Sequence, residues 1–134
     1  MRPHRFARVL LLAALMASTG CDSKSPTSPT TTPTSPVTET WTGIVGAAGT
    51  ASRSFTSNQS GTITVTLTTS GVPLGIGLGV PRTANGGCRL TVSQVVTAGG
   101  TVSTTADAGN YCVQLYDDGA VVSQAAFIVT IVYP

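Results

Sequence analysis

Residues 62–68 read TITVTLT, and residues 74–80 read LGIGLGV. In the first stretch Ile63, Val65 and Leu67 alternate with four threonines. In the second, Leu74, Ile76, Leu78 and Val80 alternate with Gly75, Gly77 and Gly79. A period of two sends successive side chains to opposite faces of an extended strand. β-Branched residues favour that conformation, because their stiff side chains pack well on a pleated surface. Both stretches therefore read as strands with one apolar face.

The same period recurs along the chain. Residues 111–115 (YCVQL) place Tyr111, Val113 and Leu115 on one face, and residues 127–131 (FIVTI) do the same with Phe127, Val129 and Ile131. Further candidates are 39–45, 51–56, 89–95 and 101–105. Segments rich in Gly, Asn and Asp separate them at 58–61, 85–87, 99–100, 107–110 and 117–119. These residues favour turns through side-chain hydrogen bonds to their own backbone and tolerance of positive φ. No sustained helical period appears. About seven or eight short strands at close spacing predict an antiparallel β-sandwich, jelly-roll-like, with one disulfide. Its inner faces are expected to carry Ile63, Val65, Leu67, Leu74, Ile76, Leu78, Leu90, Val92, Tyr111, Val113, Leu115, Phe127, Val129 and Ile131. At about 1.5–3 kcal/mol per buried large side chain, that core suffices for a domain of this length.

The order of these stretches resembles a known family. The strand 62–68, the alternation 74–80, the segment AGNYCVQLY at 108–116 and the closing strand 127–131 are similar to the bacterial pre-peptidase C-terminal domain. The resemblance covers most of residues 38–134. It implies a jelly-roll sandwich and an exported, non-catalytic accessory module. That family carries aspartates on the strand matching 74–80; Pro73, Gly75 and Gly77 stand there in this chain, so no role of those aspartates is carried over. An immunoglobulin reading fails on register. Tyr111 and Cys112 are adjacent and face opposite sides, whereas that fold spaces the two by two residues.

The N-terminus has a separate character. Arg2, Arg5 and Arg8 precede the apolar run VLLLAALMA at 9–17, then the small residues ASTG and Cys21. The apolar run is too short to span a bilayer, which takes roughly 20 residues. It reads as a cleaved export signal. The arrangement resembles a bacterial lipoprotein signal, which implies lipidation at Cys21 and a membrane anchor in the cell envelope. Ser18 departs from the usual aliphatic residue of that signal, and ordinary signal peptidase also fits a cut after Gly20. Residues 21–37 then form a tether, DSKSPTSPTTTPTSP from 22 to 36, whose recurring prolines favour extended polyproline II. The organisation expected is a signal at 1–20, a tether at 21–37 and a sandwich at 38–134.

A cut before Cys21 changes the chemistry. The full chain has a formal charge of +2 and one histidine, His4. Past Cys21 there remain Lys24, Arg53, Arg82 and Arg89 against Asp22, Glu39, Asp107, Asp117 and Asp118, a net charge of −1. That balance lacks the clustered basic face of a nucleic-acid binder. With His4 gone, no histidine can serve a serine nucleophile or a zinc ion. A non-enzymatic protein without cofactors is expected. Cys88 and Cys112 remain as a pair, and in an oxidising compartment a pair reads as a disulfide, with two free thiols the alternative. Cys112 lies out of phase with Tyr111 and Val113, which predicts a peripheral bridge outside the core.

Two sets of side chains, and the sheet edges, carry candidate functions. Asp107, Asn110, Asp117 and Asp118 offer oxygens suited to calcium. Asp117-Asp118-Gly119 reads first as a plain turn, with calcium the lesser alternative. Trp41 and Tyr116 are the aromatics able to stack on a sugar, although Trp41 also suits the core or its edge. No lysine falls within 38–134, so the sheet edges lack their usual guard. A glycan or a protein partner, bound on the surface or by strand addition, is the expected kind of contact.

Overall fold

A computed structural model describes residues 34–134. The signal, Cys21 and most of the tether lie outside the described residues. Eight strands follow in order: β1 (Val37–Gly46), β2 (Thr50–Ser57), β3 (Gly61–Ser70), β4 (Leu74–Pro81), β5 (Cys88–Val96), β6 (Thr101–Ala106), β7 (Gly109–Tyr116) and β8 (Gln124–Tyr133). They form two antiparallel four-stranded sheets, β1-β8-β3-β6 and β2-β7-β4-β5. The chain changes sheet at every connection except the β4–β5 hairpin. This is the jelly-roll arrangement of a β-sandwich.

The core follows from the period-two pattern. Ile63, Val65 and Leu67 of β3 face Leu74, Ile76 and Leu78 of β4 across the gap between the sheets, and all six are buried. Val113 and Leu115 join from β7, and Phe127, Val129 and Ile131 from β8. Val45, Phe55, Val96, Val102, Val121 and Tyr133 complete the cluster. Tyr111 packs against it half-buried and donates its hydroxyl proton to the Asp107 carbonyl at 2.8 Å.

One core assignment is corrected. Leu90 does not face inward. The β4–β5 register shifts between Leu78 and Gly79, so Leu78 pairs with Val92 while Gly79 pairs with Leu90. One extra residue on β5, Thr91, reverses the phase of everything before it, as a β-bulge does. Val92 keeps its inward position against the core, whereas Leu90 and Cys88 turn to the outer face.

Antiparallel pairing sorts the connections into two ends. Those after β1, β3, β5 and β7 gather at one end, where the Asp117 amide donates to the Gly49 carbonyl at 3.1 Å and the Ala47 amide to Ser123 at 3.0 Å. The other end holds the β4–β5 hairpin, the β2–β3 and β6–β7 connections, the start of β1 and Pro134. There the Ser57 hydroxyl donates to the Pro134 carbonyl at 3.0 Å. One side of the sandwich is closed between edge strands β1 and β2. Arg53 Nη2 lies 3.1 Å from Glu39 Oε2, and the Tyr133 hydroxyl donates to Glu39 Oε1 at 2.6 Å. That bond to the Glu39 carboxylate, with burial, raises the Tyr133 pKa above its ordinary value. Inward charges guard these edges in place of lysine.

Candidate functional site

The outer face of the sheet β2-β7-β4-β5 has an unusual centre. Gly75, Gly77 and Gly79 leave a furrow along β4, and neighbouring side chains fill it. The Tyr116 ring lies across Gly75, where a Cβ would come within 2.2 Å of it. The Leu90 methyls cover Gly77, 2.5 Å from where its Cβ would sit. At Gly79 a Cβ would meet the Arg89 carbonyl oxygen at 1.9 Å. Glycine is required along this strand because side chains and backbone of the neighbouring strands approach it closely. β4 is consequently buried on both faces through Gly79.

The disulfide completes this second layer. Cys88 and Cys112 are bonded, with Cα atoms 5.8 Å apart. Cys112 pairs with Gly79 from β7, and Cys88 pairs with Pro81 from β5. The bridge therefore spans β4 on its outer side and ties both neighbours of that strand together. Both cysteines are buried, yet neither belongs to the core between the sheets. The expected peripheral position holds, and the bulge that moves Leu90 outward also brings Cys88 into phase with Cys112.

Beside the bridge, the β4–β5 hairpin forms a polar hollow. The chain reverses through Asn85, Gly86 and Gly87, all at positive φ (67°, 65° and 81°). The Arg82 amide closes the loop by donating to the Gly87 carbonyl at 3.1 Å. Val80, Pro81, Arg82, Ala84, Asn85 and Arg89 line a cavity of about 460 Å³. A smaller hollow of about 180 Å³ adjoins it, between Arg82, Gly86, Gly87, Cys88 and Gln114. Arg82 lines both. Sequence reasoning passed over Arg82, Arg89 and Gln114. The signal available was an arginine on either side of an Asn-Gly-Gly turn, which a hairpin brings together.

The four residues expected for calcium do not form one site. Asp107 and Asn110 stand at the start of β7, and Asp117 and Asp118 follow its end. At about 3.4 Å per strand residue, that places the two pairs roughly 20 Å apart. No group of three or more His, Cys, Asp or Glu able to hold a metal occurs among the described residues. Three of the four are engaged in local hydrogen bonds instead. Asp107 Oδ1 accepts from the Ser60 hydroxyl at 3.2 Å, and Asn110 Oδ1 from the Thr56 hydroxyl at 2.8 Å. Asp117 accepts backbone N–H bonds from Ala48 (2.9 Å), Gly119 (2.8 Å) and Val121 (3.0 Å). Those bonds, the Ala48 amide foremost, hold the Asp117 carboxyl below the usual carboxylate range. They also join two loops, one carrying the positive φ of Ala48 (52°) and the other that of Gly119 (97°).

The two aromatics stand apart. Trp41 lies on the inner side of edge strand β1, half-buried, with its ring edge-on to Phe127 at a centroid distance of 4.9 Å. Tyr116 faces outward as its phase predicts and roofs Gly75 within its own sheet, the one opposite the sheet that carries Trp41. The two do not make one stacking platform.

No protein-family model matches the sequence. No curated protein matches it either. Among solved structures the chain is similar to the Yersinia pseudotuberculosis-derived mitogen, at 12% identity and a TM-score of 0.50, over 74% of this chain and 87% of that one. At that identity the likeness shows a shared β fold alone. A weaker likeness, at 18% identity and a TM-score of 0.39, covers 73% of this chain and 87% of a subunit from the disulfide-linked pili of Bacillus endospore appendages.

Proposed function

We propose that the protein is a bacterial envelope lipoprotein, anchored through lipid on Cys21, whose jelly-roll domain is a non-catalytic binding module. The strand patterning similar to pre-peptidase C-terminal domains supports an accessory role of this kind. The observation that carries the binding reading is the stapled outer face around β4. A strand already buried in the core receives a second cover of Tyr116, Leu90 and the disulfide, and that cover braces the arginine-lined hairpin beside it. Rigid scaffolds that hold a few convergent polar groups around a hollow suit recognition. The tether runs directly into β1, which begins at Val37, so it would carry this unit off a membrane surface.

A second reading keeps the anchor and changes the client: the domain would hold a carbohydrate or peptide for a separately encoded secreted hydrolase. The polar hollow is the feature that favours it. Cell fractionation tests the anchor. Wild-type protein should partition with membranes, and Cys21→Ser should appear in the soluble exported fraction. Retention of Cys21→Ser in the membrane at the wild-type level would overturn lipid anchoring.

A further inference from the structure

We propose that the β4–β5 hairpin is a binding site for an acidic sugar, with Arg82 and Arg89 receiving its carboxylate. This deepens the binding reading and rests on it, but it does not depend on the anchor. Three arginines fall among the described residues, and one of them, Arg53, is paired with Glu39. The other two have no ion pair among the described residues, and both line the same 460 Å³ cavity, whose lining includes no carboxylate. Two cations that share a hollow repel each other, and an anion between them removes that cost. Guanidinium groups bind carboxylates through paired, charge-assisted hydrogen bonds.

The rest of the lining favours a sugar over a bare ion. Val80, Pro81 and Ala84 offer apolar surface, with Val80 39% exposed. The Asn85 side-chain amide, and the Gln114 amide in the adjoining hollow, can pair with hydroxyls. A uronic acid combines these features in one ring: a carboxylate, several hydroxyls and an apolar C–H face. The volume falls within the usual range for small-ligand pockets, about 300–1,000 Å³. The disulfide at Cys88, one residue before Arg89, and the Arg82–Gly87 backbone bond hold both arginines on a braced loop. Less conformational freedom is then lost on binding. A further hollow, about 290 Å³ beside Ser60, Gly61, Thr105 and Asp107, has Asp107 as its one charged group, and that carboxylate already accepts from Ser60.

Titration of the purified, disulfide-intact protein tests the site, using an oligogalacturonate, the matching neutral galactose oligomer and inorganic phosphate. Binding of the oligogalacturonate is expected, weaker at high salt and at least about tenfold tighter than either control. Arg82→Gln and Arg89→Gln should each weaken it about tenfold, since each removes a charge-assisted pair. Arg53→Gln, whose partner is Glu39 on β1, should leave binding unchanged. Matching thermal midpoints would show that the hairpin variants remain folded. No binding, equal binding of the neutral oligomer, or full binding by both hairpin variants would overturn the proposal. Phosphate bound as tightly as the oligogalacturonate would overturn the sugar assignment.

Discussion

The two sheets share a core but differ on their outer faces. The sheet β1-β8-β3-β6 shows solvent a field of threonines. Thr40, Thr130, Thr66 and Thr101 stand side by side across its four strands. No charged residue interrupts that face, and the Thr68 and Thr130 hydroxyls lie 3.0 Å apart. The sheet β2-β7-β4-β5 instead carries a furrow of glycines filled by an aromatic ring, a leucine and a disulfide. Threonine alternation makes a strand with one buried face; glycine alternation makes a strand with two. The second face then becomes a place where neighbouring strands are locked together and a charged hairpin is held.

Breaking the lock should cost most. Replacing both Cys88 and Cys112 by serine opens a loop of 24 residues' separation and should destabilise the domain by about 3–4 kcal/mol in denaturant titration. A loss below about 1 kcal/mol would mean that the bridge does not brace β4. Next comes Gly79→Ala. The added methyl would meet backbone, not a flexible side chain, so strain of about 1–3 kcal/mol is expected. A neutral Gly79→Ala would mean that the furrow is slack.

Asp117 sets a smaller effect, visible through pH. Its folded pKa lies below the unfolded value, so its contribution is present above the unfolded pKa and is lost as pH falls through the folded one. Thermal midpoints of the wild type and Asp117→Asn should therefore differ at neutral pH and converge in acid below about pH 4. A constant gap down to low pH would contradict that role. The threonine face supplies the smallest effect. Thr66→Val should change stability by no more than about 0.5 kcal/mol, as surface substitutions usually do. A larger loss would show that the threonine rows are structural in themselves.

Much of this contrast was legible in the sequence. Residues 62–68, 74–80, 111–115 and 127–131 announced their strands and inner faces through alternation alone, and the out-of-phase Cys112 announced a bridge outside the core. Leu90 was misplaced because a β-bulge adds a residue without altering composition, so phase carried across it comes out reversed. Phe55 and Val102 escaped notice for a different reason: each is a single apolar residue among polar neighbours, and only pairing shows which face it joins; Val45 follows the apolar Ile44, and only pairing shows which of the two turns inward. The calcium grouping failed because nearness in sequence along an extended strand is distance in space. Arg82 and Arg89 were silent because their meeting depends on a hairpin, the one connection that stays within a sheet.

The functional account turns on Cys21, where the chain is proposed to be cut and lipidated. Mass spectrometry of the protein recovered from membranes measures this directly. The account predicts an N-terminus at Cys21 carrying a diacylglycerol-type adduct, with residues 1–20 absent. An unmodified Cys21, or a chain that still contains the arginines and apolar run before it, would contradict the account.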